Sequence, residues 1–138
     1  MNTTRTAVIA AATAAAICSL AFVAPAAAGG SVTYTYVPQT QKQTQALTNG
    51  LRLYSMYQYS RANGGAVTQQ GVANAAGLSQ NGTGNLGVIY QRGSNQSATL
   101  TQNGNNNAYG IFQFGNGSYS NVTQTGNGQA GITIQRSW

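Results

Sequence analysis

The chain has 138 residues, six of them Lys or Arg, one Cys, and no Asp, Glu or His, for a formal charge of +6. General acid–base catalysis draws on carboxylates, imidazole or a perturbed Lys, Tyr or Cys, and metal sites draw on carboxylate, imidazole or thiolate ligands. With side-chain carboxylates and imidazole missing and only one Lys and one Cys present, the composition argues against an enzyme: no catalytic residue, metal ligand, cofactor or small-molecule substrate is assigned.

Residues 1–28 read as a secretory leader. Arg5 supplies a positive start, residues 7–23 an Ala-rich apolar run ending before Pro25, and Ala26, Ala27 and Ala28 a small-residue cleavage site ahead of Gly29. The lone Cys18 falls inside this leader, so the remaining chain contains no disulfide to compensate for a thin core. Residues 29–51 are polar and rich in Gln and Thr, and are expected to form a flexible export or recognition segment.

From residue 52 onward the chain has a period. Gln58, Gln69, Gln80, Gln91, Gln102, Gln113, Gln124 and Gln135 recur at intervals of eleven. Two places after a repeat Gln comes a glycine: Gly71, Gly82, Gly93, Gly104, Gly115 and Gly126. Four places after come Gly84, Asn95, Asn106, Gly117 and Gly128, all tolerant of positive φ. Each unit therefore predicts a turn followed by a seven-residue strand ending on the next Gln. The strands expected are 52–58, 63–69, 74–80, 85–91, 96–102, 107–113, 118–124 and 129–135.

Side chains alternate along a strand, so the fifth, seventh, ninth and eleventh positions after each Gln share one face. The ninth is an apolar column: Met56, Val67, Leu78, Ile89, Leu100, Ile111 and Val122. The seventh is mostly small, with Tyr109 an exception where a bulge or local shift is expected. Two strands per turn give a 22-residue rung, and four rungs stack as an all-β solenoid with two facing parallel sheets. Each inward Gln then lies over the Gln of the next rung. A buried amide is costly unless its hydrogen bonds are met, and a column of amides meets them.

Alternation also sorts the outer faces. The first strand of each rung turns Ser55/Tyr57, Gly77/Ser79, Thr99/Thr101 and Asn121/Thr123 outward, a polar set. The second turns out Val88, Tyr90, Phe112, Ile132 and Ile134, an apolar stripe expected to bundle filaments laterally or to adhere to apolar surfaces. Only Arg136, Ser137 and Trp138 follow the last strand, so no cap is expected on that end. An uncapped rung invites head-to-tail strand addition, a heterologous contact that gives open filaments.

Residues Ser118, Gln124, Gly126, Gly128, Gln129, Ala130 and Gln135, and likewise Asn74, Gln80, Gly82, Gly84, Asn85 and Gln91, resemble the pattern of curlin repeats, S-x5-Q-x-G-x-[GN]-N-x-A-x3-Q. The resemblance covers residues 52–135. It departs from the pattern in the first rung, where Ser60 replaces the turn glycine and Arg52 the opening Ser or Asn. It implies a secreted subunit that passes an outer-membrane export pore and polymerises into curli-like amyloid fibres at the cell surface, for biofilm matrix and adhesion. It also implies a nucleator or partner curlin subunit, a role this chain itself is the alternative candidate for. Extracellular polysaccharide or DNA are possible further partners through the sparse arginines. The rival from another class is a monomeric β-solenoid binding module of ice-binding or adhesin type. That reading calls for ranks of Thr-x-Thr, which only Thr99 and Thr101 supply here.

Overall fold

A computed structural model describes residues 30–59 and 64–138. The proposed leader, 1–28, lies outside the described residues. In chain order the elements are β1 (Ser31–Tyr36), α1 (Gln41–Tyr59), β2 (Gly64–Gln70), β3 (Ala75–Asn81), β4 (Leu86–Ser94), β5 (Ser97–Asn103), β6 (Ala108–Asn116), β7 (Tyr119–Thr125) and β8 (Ala130–Ser137).

Strands β2 to β8 wind as a β-solenoid of about three turns. The even-numbered strands, with β1 added at one edge, form one sheet in the order β1-β8-β6-β4-β2, and β3-β5-β7 form the other. Every solenoid pair is parallel and in register at 22 residues, as in Ile89↔Ile111 and Leu100↔Val122. The turns explain how so short a connection keeps that register. Gly93 and Gly104 have φ of 132° and 124°, and a Cβ on either would run into the carbonyl oxygen of the glycine one rung on. Glycine is thus required there twice over, by backbone conformation and by the closeness of stacked turns.

The inner core is Ile89, Leu100, Ile111, Ala98 and Tyr109, with Leu78 and Val122 partly buried at either end. Tyr109 causes no bulge. It stays in register between Gly87 and Gly131, and its hydroxyl meets Thr133 Oγ1 at 2.8 Å. A Cβ on Gly131 would strike the Tyr109 ring, so the small neighbours and the Thr in place of an aliphatic are what admit the large ring.

Three further expectations fail over residues 29–58. The segment 52–58 is helical and not a strand, which leaves three full rungs plus β2 in place of four. Residues 29–51 are not a flexible segment where described, since they hold β1 and most of α1. Strand β1 pairs antiparallel with β8, from Ser31↔Ser137 to Tyr36↔Ile132, and so covers the end expected to be bare.

Helix α1 explains itself locally. Thr40 caps its start, its Oγ1 accepting from Gln43 N–H at 3.3 Å, while Gln43 Oε1 accepts from Gln39 N–H at 3.1 Å. This is a variant of the capping box. Leu47, Leu51, Tyr54 and Ser55 fall on one helical face. That face sits on the outside of the five-stranded sheet, with Leu51 buried among Leu86, Val88, Ala108 and Ala130. Gly110 makes room: a Cβ there would come within 2.7 Å of the Leu51 side chain. Tyr54 meets the edge of Phe112 at 5.4 Å between ring centroids.

The apolar stripe expected to be free for bundling is therefore the seat of the helix. Val88 is fully buried, and Phe112 packs against the cluster around Leu51. Tyr90 is half-buried between Phe112 and Phe114, and Ile132 and Ile134 are half-buried opposite Tyr36 and Tyr34 of β1.

Candidate assembly interface

The inward glutamines form two amide columns, one in each sheet. In the five-stranded sheet Gln69, Gln91, Gln113 and Gln135 are joined Nε2 to Oε1 at 2.8, 2.8 and 2.7 Å. In the three-stranded sheet Gln80 donates to Gln102 and Gln102 to Gln124, both at 2.8 Å. The second amide hydrogen crosses to the opposite sheet. Gln91 Nε2 donates to Ala75 O, Gln102 to Leu86 O and Gln113 to Ser97 O, at 2.9 to 3.1 Å. Each amide therefore ties its rung upward and across. Gln91, Gln102 and Gln113 are fully buried, so the ladder is what makes their burial tolerable. Gln58 belongs to α1 and not to a strand.

A second set of amides escaped the sequence reading as a ladder, although its positions were noticed as inward amides or hydroxyls. Asn85 Oδ1 accepts from Asn107 N–H at 3.0 Å, and Asn85 Nδ2 donates to Gly104 O at 2.8 Å. Asn107 repeats both bonds with Gln129 N–H and Gly126 O. Each Asn thus clamps the turn and the strand start one rung on. Asn74 does the same to Gln96 N–H and Gly93 O. Gln96 is one methylene longer: its Nε2 reaches Gly115 O, but its Oε1 is buried without a partner.

The predicted turn glycines all have φ between 93° and 132°. At the other permissive turn position Ala73 adopts φ 56°, beside Asn95 and Asn106 at 56° and 57°. The apolar column is graded along the axis. Ile89, Leu100 and Ile111 are fully buried, Val67 is 39% exposed on β2, and Met56 is exposed on the helix.

The ends differ. At the first end, β2 and β3 present unpaired edges. At the last end, β8 is covered by β1, where Thr35 Oγ1 lies 3.3 Å from Thr133 Oγ1 and Gln135 Nε2 donates to Thr33 Oγ1 at 3.2 Å. Beside it β7 is bare. An open groove runs along β7, facing Thr33 and Thr35 across the rung. The groove is the place where one more strand of the three-stranded sheet would lie. Gln124 marks it: its oxygen accepts from Gln102, but its Nε2 has no next rung to donate to and makes one long contact, 3.5 Å to Ala108 O. Among the described residues no helix is long and apolar enough to cross a membrane.

A stack of identical rungs in parallel register, with amide columns inside and bare strand edges at its ends, defines a repeat protein of the β-solenoid class. The curlin associated repeat matches residues 82–111 and 97–126, so the stretch from β4 through β7 is similar to curlin repeats. No curated protein matches the chain. No solved structure matches it either.

Proposed function

We propose that this chain is a secreted structural subunit that adds end to end into extracellular curli-like fibres, for biofilm matrix and surface adhesion. The observation that carries the reading is the bare edge of β7 beside an amide column that stops at Gln124 with its next acceptor missing. A strand edge is a template for another chain, and a buried amide column gains by being extended. The graded exposure of the apolar column, from Ile89 and Ile111 out to Val67, is what a stack cut off at its ends would leave. Curlin repeats are structural units, in keeping with a chain that has no Asp, Glu or His. An export pore, a nucleating partner curlin and the 1–28 leader belong to the same reading.

The test is assembly of the purified chain diluted from denaturant. Growth with a lag, a rise in thioflavin fluorescence, conversion to β by circular dichroism and reflections near about 4.7 and 10 Å are expected. A chain that stays a soluble β monomer at high concentration, with or without seeds, would show the columns to be purely internal. The binding-module reading would then take over.

A further inference from the structure

The solenoid's own repeat says what fits the groove beside β7. The strand that would follow β7 in its sheet must bring an aliphatic residue over Val122 and a Gln over Gln124, two residues apart. Residues 52–58 carry that pair: Met56 and Gln58 lie 22 residues before Leu78 and Gln80, the interval that separates neighbouring strands of this sheet. In strand form the segment would lie against its own β3 on one edge and against β7 of a preceding copy on the other. Tyr54 would enter the small-residue column, as Tyr109 already does between Gly87 and Gly131. Arg52 already borders the cleft below β3, together with Gln80 and Asn85.

In the lone subunit that segment is unavailable, because it forms the last part of α1. The five-stranded sheet is closed by a different segment, β1. There β1 occupies, antiparallel, the slot on β8 that β2 of the next copy would fill in parallel. Gln135 gives Thr33 the hydrogen bond that Gln69 of that copy would otherwise accept. We propose that the bare edge of β7 is the docking surface for residues 52–58 of a second copy, and that β1 and α1 hold this contact closed until β1 leaves β8 and 52–58 exchange helix for strand. The proposal rests on the self-assembly reading and adds to it a partner segment and a built-in restraint. Its driving terms are an extended amide column and burial of Val67 and Val122, set against loss of the Leu51 packing.

The restraint is tested by locking β1. Thr35→Cys with Thr133→Cys, in a full chain that also carries Cys18→Ser, places two thiols where two hydroxyls now stand 3.3 Å apart. Oxidised, this protein should elongate wild-type seeds at least about tenfold more slowly than the same protein reduced, with the rate restored by dithiothreitol. Equal rates in the two states would overturn the proposal and leave self-assembly standing. Wild-type chain that never adds to seeds defeats the self-assembly reading itself. A second measurement is independent of the cysteine pair. In fibres of the wild-type chain labelled with 13C-methionine, the Met56 signal, assigned by its loss in Met56→Leu, should carry strand Cα and Cβ shifts, against helical shifts in the lone subunit. Helical shifts in the fibre would overturn the exchange.

Discussion

The two sheets are built from one repeat yet meet their surroundings differently. Inside the solenoid they are equivalent: each contributes an aliphatic column and an amide column in the same register. Outside they diverge. The three-stranded sheet turns Gly77, Ser79, Thr99, Asn121 and Thr123 outward, and among the described residues no element packs on that face. The five-stranded sheet turns out Ala66, Val88, Gly110, Phe112 and Ile132, and is covered by α1 on its face and β1 on its edge. The periodic residues thus determine the inside, while the residues between them decide which sheet gains a second layer. An apolar outer face on so thin a solenoid is more cheaply buried by the chain's own helix than left to water.

The largest effect tests the equivalence of the interiors. Gln91→Ala and Gln102→Ala each remove an amide that accepts one ladder bond and donates two. Each leaves a buried acceptor of the next rung, Gln113 Oε1 or Gln124 Oε1, unmet and opens a cavity, so each should cost about 3 kcal/mol in denaturant unfolding of the lone subunit. A gap between them well beyond about 1 kcal/mol would show that the helix layer stabilises its sheet from within as well as from outside.

The next effect breaks the outer symmetry. Gly110→Val puts two methyl groups where Leu51 and Phe112 meet, and should cost about 2–3 kcal/mol by displacing the helix. Gly77→Val, on the open face of the other sheet, meets only the Thr99 methyl at 3.4 Å and should be neutral or stabilising by up to about 1 kcal/mol. Loss of helical circular dichroism in the first variant alone would locate the difference in α1.

What was legible in the sequence divides along the same line. Gln and Gly at period eleven, with alternation between them, are local signals repeated many times, and they sufficed for the parallel register and both amide columns. Residues 52–58 misled because Met56 and Gln58 keep the phase, which is compatible with a strand. The competing signals were Thr40 with Gln43 as a cap and Leu47, Leu51 and Tyr54 at helical spacing, in a segment rich in Gln and Leu. Helix won because its apolar face had the Val88 surface to cover. Strand β1 was hidden for another reason. Its SVTYTY alternation is a fair strand signal, but it lies out of phase with the repeat and its partner is about a hundred residues away, as Thr35 and Thr133 show.

A smaller effect should make the two sheets more alike. The column Asn85, Asn107 leading into the five-stranded sheet is complete, whereas Asn74, Gln96 leading into the other ends on the orphaned Gln96 Oε1. Gln96→Asn shortens the side chain to the length that clamps the rung elsewhere, so that its oxygen reaches the N–H of Ser118. A gain of about 1 kcal/mol is expected, from pairing a buried acceptor and ordering one fewer torsion. No gain would mean that water already serves that oxygen.

The smallest effect lies in the turn before β3. Ala73 holds the left-handed conformation that Gly117 holds two rungs on, and that Gly84 and Gly128 hold in the turns leading to the other sheet. An L-residue with a Cβ is strained there by roughly 1–2 kcal/mol, while glycine would lose more backbone entropy on folding, about 0.5–1 kcal/mol. The difference leaves Ala73→Gly stabilising by a few tenths to about 1 kcal/mol. The sign matters more than the size. The turn sits at the first end of the solenoid, so hydrogen exchange of the β2 and β3 amides should slow with the substitution if that end opens on its own. If the gain appears only in global unfolding, the rungs melt as one unit, and the bare edges of β2 and β3 are held as firmly as the centre.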